Sequence, residues 1–363
     1  MSTHAVEVTP IVAINPHPNA DRLEIATVKD WQCVVGKGTF KPGDLCVYIP
    51  IDSVLPQPVL DKVFAGSKIA PTPRVKTIKL RGAISQGIAV HPNDLGVTAK
   101  AGKDVASELG ITKYEPPAPG FQGGGDGKAR PGRSQTNPNF RKYTGIENAK
   151  NHPHTFVEGE PVIVTEKIHG TNFRAGYVPF YADTLWKKVK RFFGMAPEFE
   201  FVYGSHNVQL QSKLLYKGFY DSNVYAEAVV KYRLKDVLKP GEVVYGEIYG
   251  DGIQKGYAYG SGKGQRDLAL FDVMIEGQYL DPLAFEKWAD ARQLPRVPVL
   301  YRGPFNREHV KSLTVGDSVL APTQKVREGV VCKPLEEATA YLGRKVLKFI
   351  SDAYLLGDQT DYH

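Results

Sequence analysis

The reactive potential of this sequence centres on one lysine. In Val162-Ile163-Val164-Thr165-Glu166-Lys167-Ile168-His169-Gly170-Thr171-Asn172-Phe173, an apolar, β-branched run ends on Lys167, and His, Gly and Asn follow at once. β-Branched residues favour a strand, and a strand end fixes the place of its side chain, so a solvated surface charge explains Lys167 poorly. Gly170 lets a ligand or a neighbouring backbone come close. Four later stretches bring groups that complement an amine. Residues 245–250 carry Glu247 on an otherwise apolar run, and 268–273 set Phe271 beside Asp272. Residues 327–331 lead Glu328 into an apolar run, and 343–350 bring Arg344, Lys345 and Lys348. A lone glutamate on a strand is more often a rim residue or half of a salt bridge. The ordered set of five stretches is the stronger signal.

Strands must hold these groups, and the second part of the chain, from about Phe140, supplies them. Residues 162–166, 199–203, 243–248, 268–275, 329–332 and 345–350 read as strands. Residues 222–238 read as a helix with Val224, Tyr225, Ala228, Val229, Tyr232 and Val237 on one face. An α+β domain around antiparallel sheets follows. Alternation along 343–350 predicts Arg344, Val346 and Lys348 on one face and Lys345 on the other. Residues 185–193, Leu-Trp-Lys-Lys-Val-Lys-Arg-Phe-Phe, suit a helix with one basic face that could grip nucleic acid or a membrane surface. The plainer reading packs Trp186, Val189 and Phe193 on the helix's own domain, with the cations in water.

The first part, residues 1–114, is built of short apolar runs: 5–14, Leu23–Val28, 31–35, 45–51, 75–80 and 87–90. Turn signals at Asn15-Pro16-His17-Pro18-Asn19-Ala20-Asp21 and Lys41-Pro42-Gly43-Asp44 separate them, a spacing that suggests a small β-barrel. Arg74, Lys76, Lys79 and Arg81 interleave with apolar residues, as on a face that tracks a nucleic-acid backbone; a strand edge guarded by cations is the plainer alternative. Residues 115–137, rich in Pro and Gly, form a linker. Gly127-Lys128 and Gly262-Lys263 both lack the first glycine of a phosphate loop (Gln122 and Tyr257 stand there).

Composition narrows the setting. At 363 residues the chain is too long for one small core, so two domains are expected. A net charge of +7 favours a polyanionic partner. Cys33, Cys46 and Cys332 sit singly in apolar runs and read as small buried hydrophobes. No apolar run is long enough for a bilayer, and residues 1–5 lack a signal pattern, so the expectation is a cytoplasmic or nuclear protein without a membrane partner or an obligate protein partner.

Two resemblances sharpen this reading. The stretch Asn-Pro-His-Pro-Asn-Ala-Asp-Arg-Leu at 15–23, with the Pro-Gly-Asp strand after it, resembles OB-fold modules that accompany RNA-processing enzymes. The five stretches of the second part resemble the covalent nucleotidyltransferases: DNA and RNA ligases and mRNA-capping enzymes. Lys167-Ile168-His169-Gly170 stands where the superfamily most often has Lys-x-Asp-Gly, and His followed by Thr171-Asn172-Phe173 is typical of a branch of RNA ligases. The resemblance implies an N-terminal OB-like β-barrel followed by an antiparallel-sheet, ATP-grasp-like ligase domain over residues 138–363. Only residues 351–363 follow the last motif, too few for the C-terminal OB domain of DNA ligases and capping enzymes. The likeness is thus to ATP-dependent RNA ligases with an N-terminal OB domain that seal nicks.

The same resemblance implies the chemistry. Lys167 would attack the α-phosphate of ATP, expel pyrophosphate and form lysyl-AMP. AMP would pass to a 5′-phosphate, and a 3′-hydroxyl would displace it, sealing nicked duplex RNA or an RNA/DNA hybrid with RNA at the 3′-hydroxyl side. A free lysine, with a pKa of about 10.4, must lose its proton first, helped by burial, a metal or another cation such as Lys348. Glu247 and Glu328 would bind Mg²⁺ or Mn²⁺, or ribose hydroxyls. Phe271 would stack the adenine, Asn172 would contact ribose, and His206 falls where related ligases often carry an arginine. Glu166, His169 and Lys345 complete the expected nucleotide contacts, and Lys348 would stabilise the α-phosphate charge. A GTP-dependent capping guanylyltransferase and an inactive RNA-binding protein are the alternatives.

Overall fold

The structure is a computed structural model describing residues 4–65, 72–114, 137–182, 184–210 and 223–357. The linker expected over 115–137 lies outside them, apart from Asn137. The chain forms two compact units: residues 4–114 with 146–156 and 352–357, and residues 137–145 with 157–351.

In the first unit, β1 (Glu7–Pro16), β2 (Leu23–Val28), β3 (Trp31–Gly36), β4 (Leu45–Ile49), a hairpin of β5 (Thr77–Leu80) and β6 (Ala83–Gln86), and β7 (Ile88–Val90) follow in order. The main sheet runs β3-β2-β1-β4-β7. The hairpin lies beside β3, where Gln32 Nε2 donates to the Ile84 carbonyl (3.0 Å) and the Val34 N–H donates to Ser85 Oγ (3.0 Å). Inward residues alternate along these strands, with Ile11, Ala26, Val28, Trp31, Cys33 and Tyr48 in one cluster and Val8, Val47, Ile49 and Leu60 in another. The turn after β1 closes on the hairpin. The His17 ring lies 3.0 Å from the Leu80 carbonyl, and Asn19 Nδ2 donates to the Arg81 carbonyl (3.1 Å). Two segments from later in the chain return to this unit. Trp31 Nε1 donates to Asn151 Oδ1 (2.6 Å), and Gln86 Nε2 donates to Asp352 Oδ1 (2.9 Å). All three cysteines are free and buried.

The second unit has two main antiparallel sheets. Its strands are β8 (Pro161–Lys167), β9 (Thr171–Pro179), β10 (Phe199–Gly204), β11 (Gln209–Leu210), β12 (Glu242–Gly250), β13 (Arg266–Ile275), β14 (Gln278–Tyr279), β15 (Val299–Pro304), β16 (Gly329–Pro334) and β17 (Leu347–Ile350). One sheet contains β17-β16-β8-β15 and the other runs β11-β10-β9-β12-β13-β14. Only Ile168, His169 and Gly170 separate β8 of the first from β9 of the second, so Lys167 sits where the chain passes from one sheet to the other. The longer helices of this unit are α1 (Leu185–Phe192), α2 (Val224–Lys231) and α3 (Pro282–Asp290). The expected 222–238 helix breaks at Arg233 (φ +49°); Leu234–Val237 is a separate short helix, and Ser222 is not among the described residues.

One face of the six-stranded sheet is covered. Phe173, Val244, Ile248, Leu268, Leu270 and Val273 pack against Val224, Ala228 and Val229 of α2 and Phe285 and Trp288 of α3. Alternation then turns Asn172 and Glu247 to the opposite face. β13 adds a bulge: Asp272 stands opposite Tyr245 and Leu270 opposite Gly246, leaving Phe271 as the extra residue. Because Leu270 and Val273 both join the core, Phe271 and Asp272 are both turned to the open face.

Three sequence expectations are corrected. The strand expected at 345–350 begins at Leu347; Gly343–Arg344 pairs instead with Thr339–Ala340, so alternation does not govern Arg344 and Lys345. The 75–80 strand begins at Thr77, and its cations do not share one face. Arg74 is bound by Asp52 (2.7 Å) and lies 3.8 Å from the Tyr114 ring centre, while Lys79 is exposed in β5 and Arg81 is exposed in its turn. Finally, α1 does not bury Trp186 or Phe193: both are exposed.

Candidate active site

β8 lies between β15 and β16, which fixes Lys167 opposite Gly329. Gly329 follows Glu328, so the register brings the two side chains together: Lys167 Nζ lies 2.7 Å from Glu328 Oε1. Glu328 is buried, and its Oε2 accepts no hydrogen bond among the described residues. His169 Nδ1 lies 3.8 Å from that same Oε2, with its ring edge-on to Tyr257 (4.9 Å between centres). The His169 backbone N–H donates to the Tyr259 hydroxyl (2.7 Å), and burial raises the pKa of that phenol well above its ordinary value. His169 is therefore held against Glu328 by two tyrosines that the motifs did not single out.

Across the short crossing, Asn172 pairs in register with Glu247. Asn172 Oδ1 is buried and has no hydrogen-bond partner among the described residues. Gly170 is required here: a Cβ would stand 2.2 Å from the Ile248 carbonyl oxygen and 2.9 Å from Glu247 Cγ. Its own carbonyl accepts from Gln254 Nε2 (2.8 Å). Phe271, re-aimed by the bulge, meets the Tyr143 ring edge-on at 4.8 Å.

Asp272, beside Phe271, anchors a buried network. Its Oδ2 takes Lys333 Nζ (2.8 Å), Arg344 Nη1 (2.6 Å) and the Tyr143 hydroxyl (2.8 Å). Burial alone would raise its pKa, but the Lys333 and Arg344 cations overcome that and hold the carboxyl below its ordinary value. Lys333 Nζ also donates to the Phe271 carbonyl (2.8 Å), so the network fixes the bulge. Lys333 was not anticipated; its signal was a lysine ending the apolar run after Glu328.

The remaining expected residues divide. Lys348 pairs with Val331 in register, one strand away from β8. Lys345 is engaged elsewhere: its Nζ lies 2.6 Å from Glu160 Oε1, at the start of β8 and roughly 23 Å along the strand from Lys167. Glu166 faces away from Lys167. Its buried carboxylate accepts the backbone N–H groups of Val319 (2.8 Å) and Leu320 (3.2 Å). His206 stands in the turn after β10. Burial, then nearby positive charge including Lys142 and Arg174, lowers its pKa to about 4, so the ring is neutral at pH 7. Arg174 lies beneath this turn, fully buried. Its Nε donates to the Ser205 carbonyl (2.9 Å), and its guanidinium lies 4.0 Å from the Phe140 ring centre.

The oxygen donors suit a hard divalent cation. Glu328 Oε2 is buried without a hydrogen-bond donor, and Glu247 stands across from Asn172. No cluster of three or more His, Cys, Asp or Glu residues forms among the described residues. Such a site fits an ion that keeps several waters and phosphate oxygens rather than one caged by protein.

The lysine at a sheet crossing, the Glu328 carboxylate 2.7 Å from it and the bulged aromatic are the features of a lysine-centred candidate site in the second unit. Residues 160–350 match the RNA ligase family, and the chain belongs to it. Residues 5–92 match an OB-fold domain. Among solved structures, the chain is similar to the Naegleria gruberi RNA ligase. A lysine-to-methionine mutant of that ligase with AMP and Mn is 25% identical, with 96% of this chain and 97% of that chain covered and a TM-score of 0.71. A lysine-to-alanine mutant with ATP and Mn gives 25%, 96%, 97% and 0.72. The ligase with PPi gives 25%, 97%, 98% and 0.70. No curated protein sequence matches.

Among the described residues, no helix is long and apolar enough to cross a membrane.

Proposed function

We propose that this protein is an ATP-dependent RNA ligase that works through a lysyl-AMP intermediate on Lys167 and seals nicks in duplex RNA or RNA/DNA hybrids. The observation that carries the reading is the Lys167–Glu328 pair at the sheet crossing, next to the buried oxygens of Glu328 and Asn172 that accept no hydrogen bond among the described residues. The ATP, AMP, PPi and Mn named with the Naegleria ligase structures support the same substrates here.

Lys167 Nζ attacks the α-phosphorus of ATP, forming a P–N bond as the bond to pyrophosphate breaks. Before attack, its contact with Glu328 opens and the ammonium gives up a proton to solvent water. Glu247 and Glu328 would hold Mg²⁺ or Mn²⁺, which would supply positive charge against the phosphates. Lys348 steadies charge growing on the α-phosphate oxygens. Phe271 stacks the adenine, and Asn172 Oδ1 accepts from a ribose hydroxyl. His206, uncharged, donates or accepts one hydrogen bond and adds no charge. His169 positions Glu328. A 5′-phosphate oxygen of the nucleic acid then attacks the phosphorus, and Lys167 leaves. The 3′-hydroxyl attacks the activated 5′-phosphate and AMP leaves. RNA character at the 3′-hydroxyl side is read through A-form shape or a 2′-hydroxyl. In this scheme Glu166 and Lys345 serve the site through Val319–Leu320 and Glu160 rather than through the nucleotide.

Incubation with magnesium and α-labelled ATP or GTP, followed by denaturation, tests this reading. Covalent label from ATP that disappears in Lys167→Ala is the expected result. No label from either nucleotide would overturn the enzyme reading, and label from GTP alone would make the protein a guanylyltransferase. Nicked duplexes with RNA or DNA at the 3′ end test strand preference.

A further inference from the structure

α1 holds its apolar stripe in solvent. Leu185, Trp186, Phe192 and Phe193 are 80%, 69%, 84% and 65% exposed, and Met195 just beyond is 64% exposed. At roughly 100° per residue, these four helix-associated side chains and the half-buried Val189 fall in one sector, with Lys187, Lys188, Lys190 and Arg191 opposite. No acidic residue occurs between Thr184 and Met195.

The helix is closed at both ends. Thr184 Oγ1 accepts the Lys187 N–H (3.2 Å). At the other end, Gly194 (φ +66°) reverses the chain, so that the Met195 N–H donates to the Lys190 carbonyl (2.8 Å) and the Gly194 N–H to Arg191 (3.1 Å). α1 also stands apart from the chemistry. β9 starts four residues after Lys167, and its eight steps to Pro179 carry the chain roughly 26 Å away before α1 begins.

We propose that α1 is an interfacial helix that docks the protein on an anionic lipid surface. Leu185, Trp186, Phe192 and Phe193 enter the acyl boundary, and the cations lie among headgroup phosphates. A nucleic acid would engage the cations and leave the apolar stripe in water. An apolar groove on another protein would cover the stripe and leave four like charges uncompensated. A bilayer with anionic headgroups offers an apolar layer and a negative layer together, matching both faces of one helix. Such a helix lies in the interface plane and needs no spanning length.

The chain carries its own reporter. Of its three tryptophans, Trp31 and Trp288 are buried and Trp186 is exposed. Full-length protein mixed with phosphatidylcholine vesicles containing phosphatidylglycerol should co-sediment, with a blue shift in tryptophan emission. Trp186→Phe should lose the shift. Phe192→Glu with Phe193→Glu should lose co-sedimentation, with circular dichroism and thermal unfolding confirming the fold. Lys188→Gln with Lys190→Gln should weaken partitioning about 25-fold, at about fivefold per cation. The proposal is overturned if the protein stays in the supernatant, or if it binds pure phosphatidylcholine equally well. It is also overturned if a nicked RNA duplex, and not vesicles, produces the shift, which would make α1 a nucleic-acid contact.

Discussion

At the scale of residues, His206 marks a departure with a measurable consequence. Its folded-state pKa of about 4 lies below the ordinary histidine value, so protonation favours the unfolded chain. The stability from keeping this ring neutral is complete above about pH 6.5 and is lost as pH falls toward the folded value. His206→Gln should flatten that limb of a pH–stability profile between about 6.5 and 4, as measured by chemical denaturation. At the candidate site, residue type and order single out the stretches containing Lys167, Glu247, Phe271 and Glu328, and the structure brings Lys167 to Glu328 and Asn172 opposite Glu247. The contacts were less legible. Lys345 reads as an auxiliary cation from its place near Lys348, yet its ammonium joins Glu160 and the strand starts only at Leu347. Tyr257, Tyr259 and Lys333 needed tertiary contacts before they gained meaning.

At the scale of elements, the five motifs are useful because strand register makes them neighbours. Lys167 meets Gly329, and Asn172 meets Glu247, through two different sheets. Gly170 is the tightest point. Gly170→Ala should lower stability by about 1–3 kcal/mol by overpacking, measured by denaturant unfolding, and should reduce covalent labelling of Lys167. The bulge at Phe271 could not be read from alternation, because an inserted residue breaks the period on which alternation rests. The broken α2 likewise read as one long helix, since periodicity carries no sign of the left-handed Arg233.

At the scale of the whole molecule, composition anticipated two units and patterning anticipated a barrel followed by an α+β domain. It did not anticipate that residues 146–156 and 352–357 belong with the barrel unit, because pairs such as Trp31–Asn151 join residues far apart in sequence. Of the four cations expected to face nucleic acid, Lys79 and Arg81 are exposed, Asp52 engages Arg74, and Lys76 is half-buried. If these two exposed cations contact phosphates, Lys79→Gln with Arg81→Gln should reduce the slope of log affinity against log salt for a nicked RNA duplex by about 2. A duplex-binding titration at several salt concentrations checks this.

The two connectors leaving β8 and β9 differ in their tolerance of insertions and deletions. The three residues between Lys167 and Thr171 join strands whose partners are fixed at both ends. One codon gained or lost there would slide a strand by one position and turn either the lysine or the asparagine to the wrong face. The next connector, from Pro179 to Phe199, already contains a capped helix and returns to the same hairpin register. A change of length at the first connector therefore breaks a register that both sheets fix, whereas the second can take up a longer segment and still return to the same pairing.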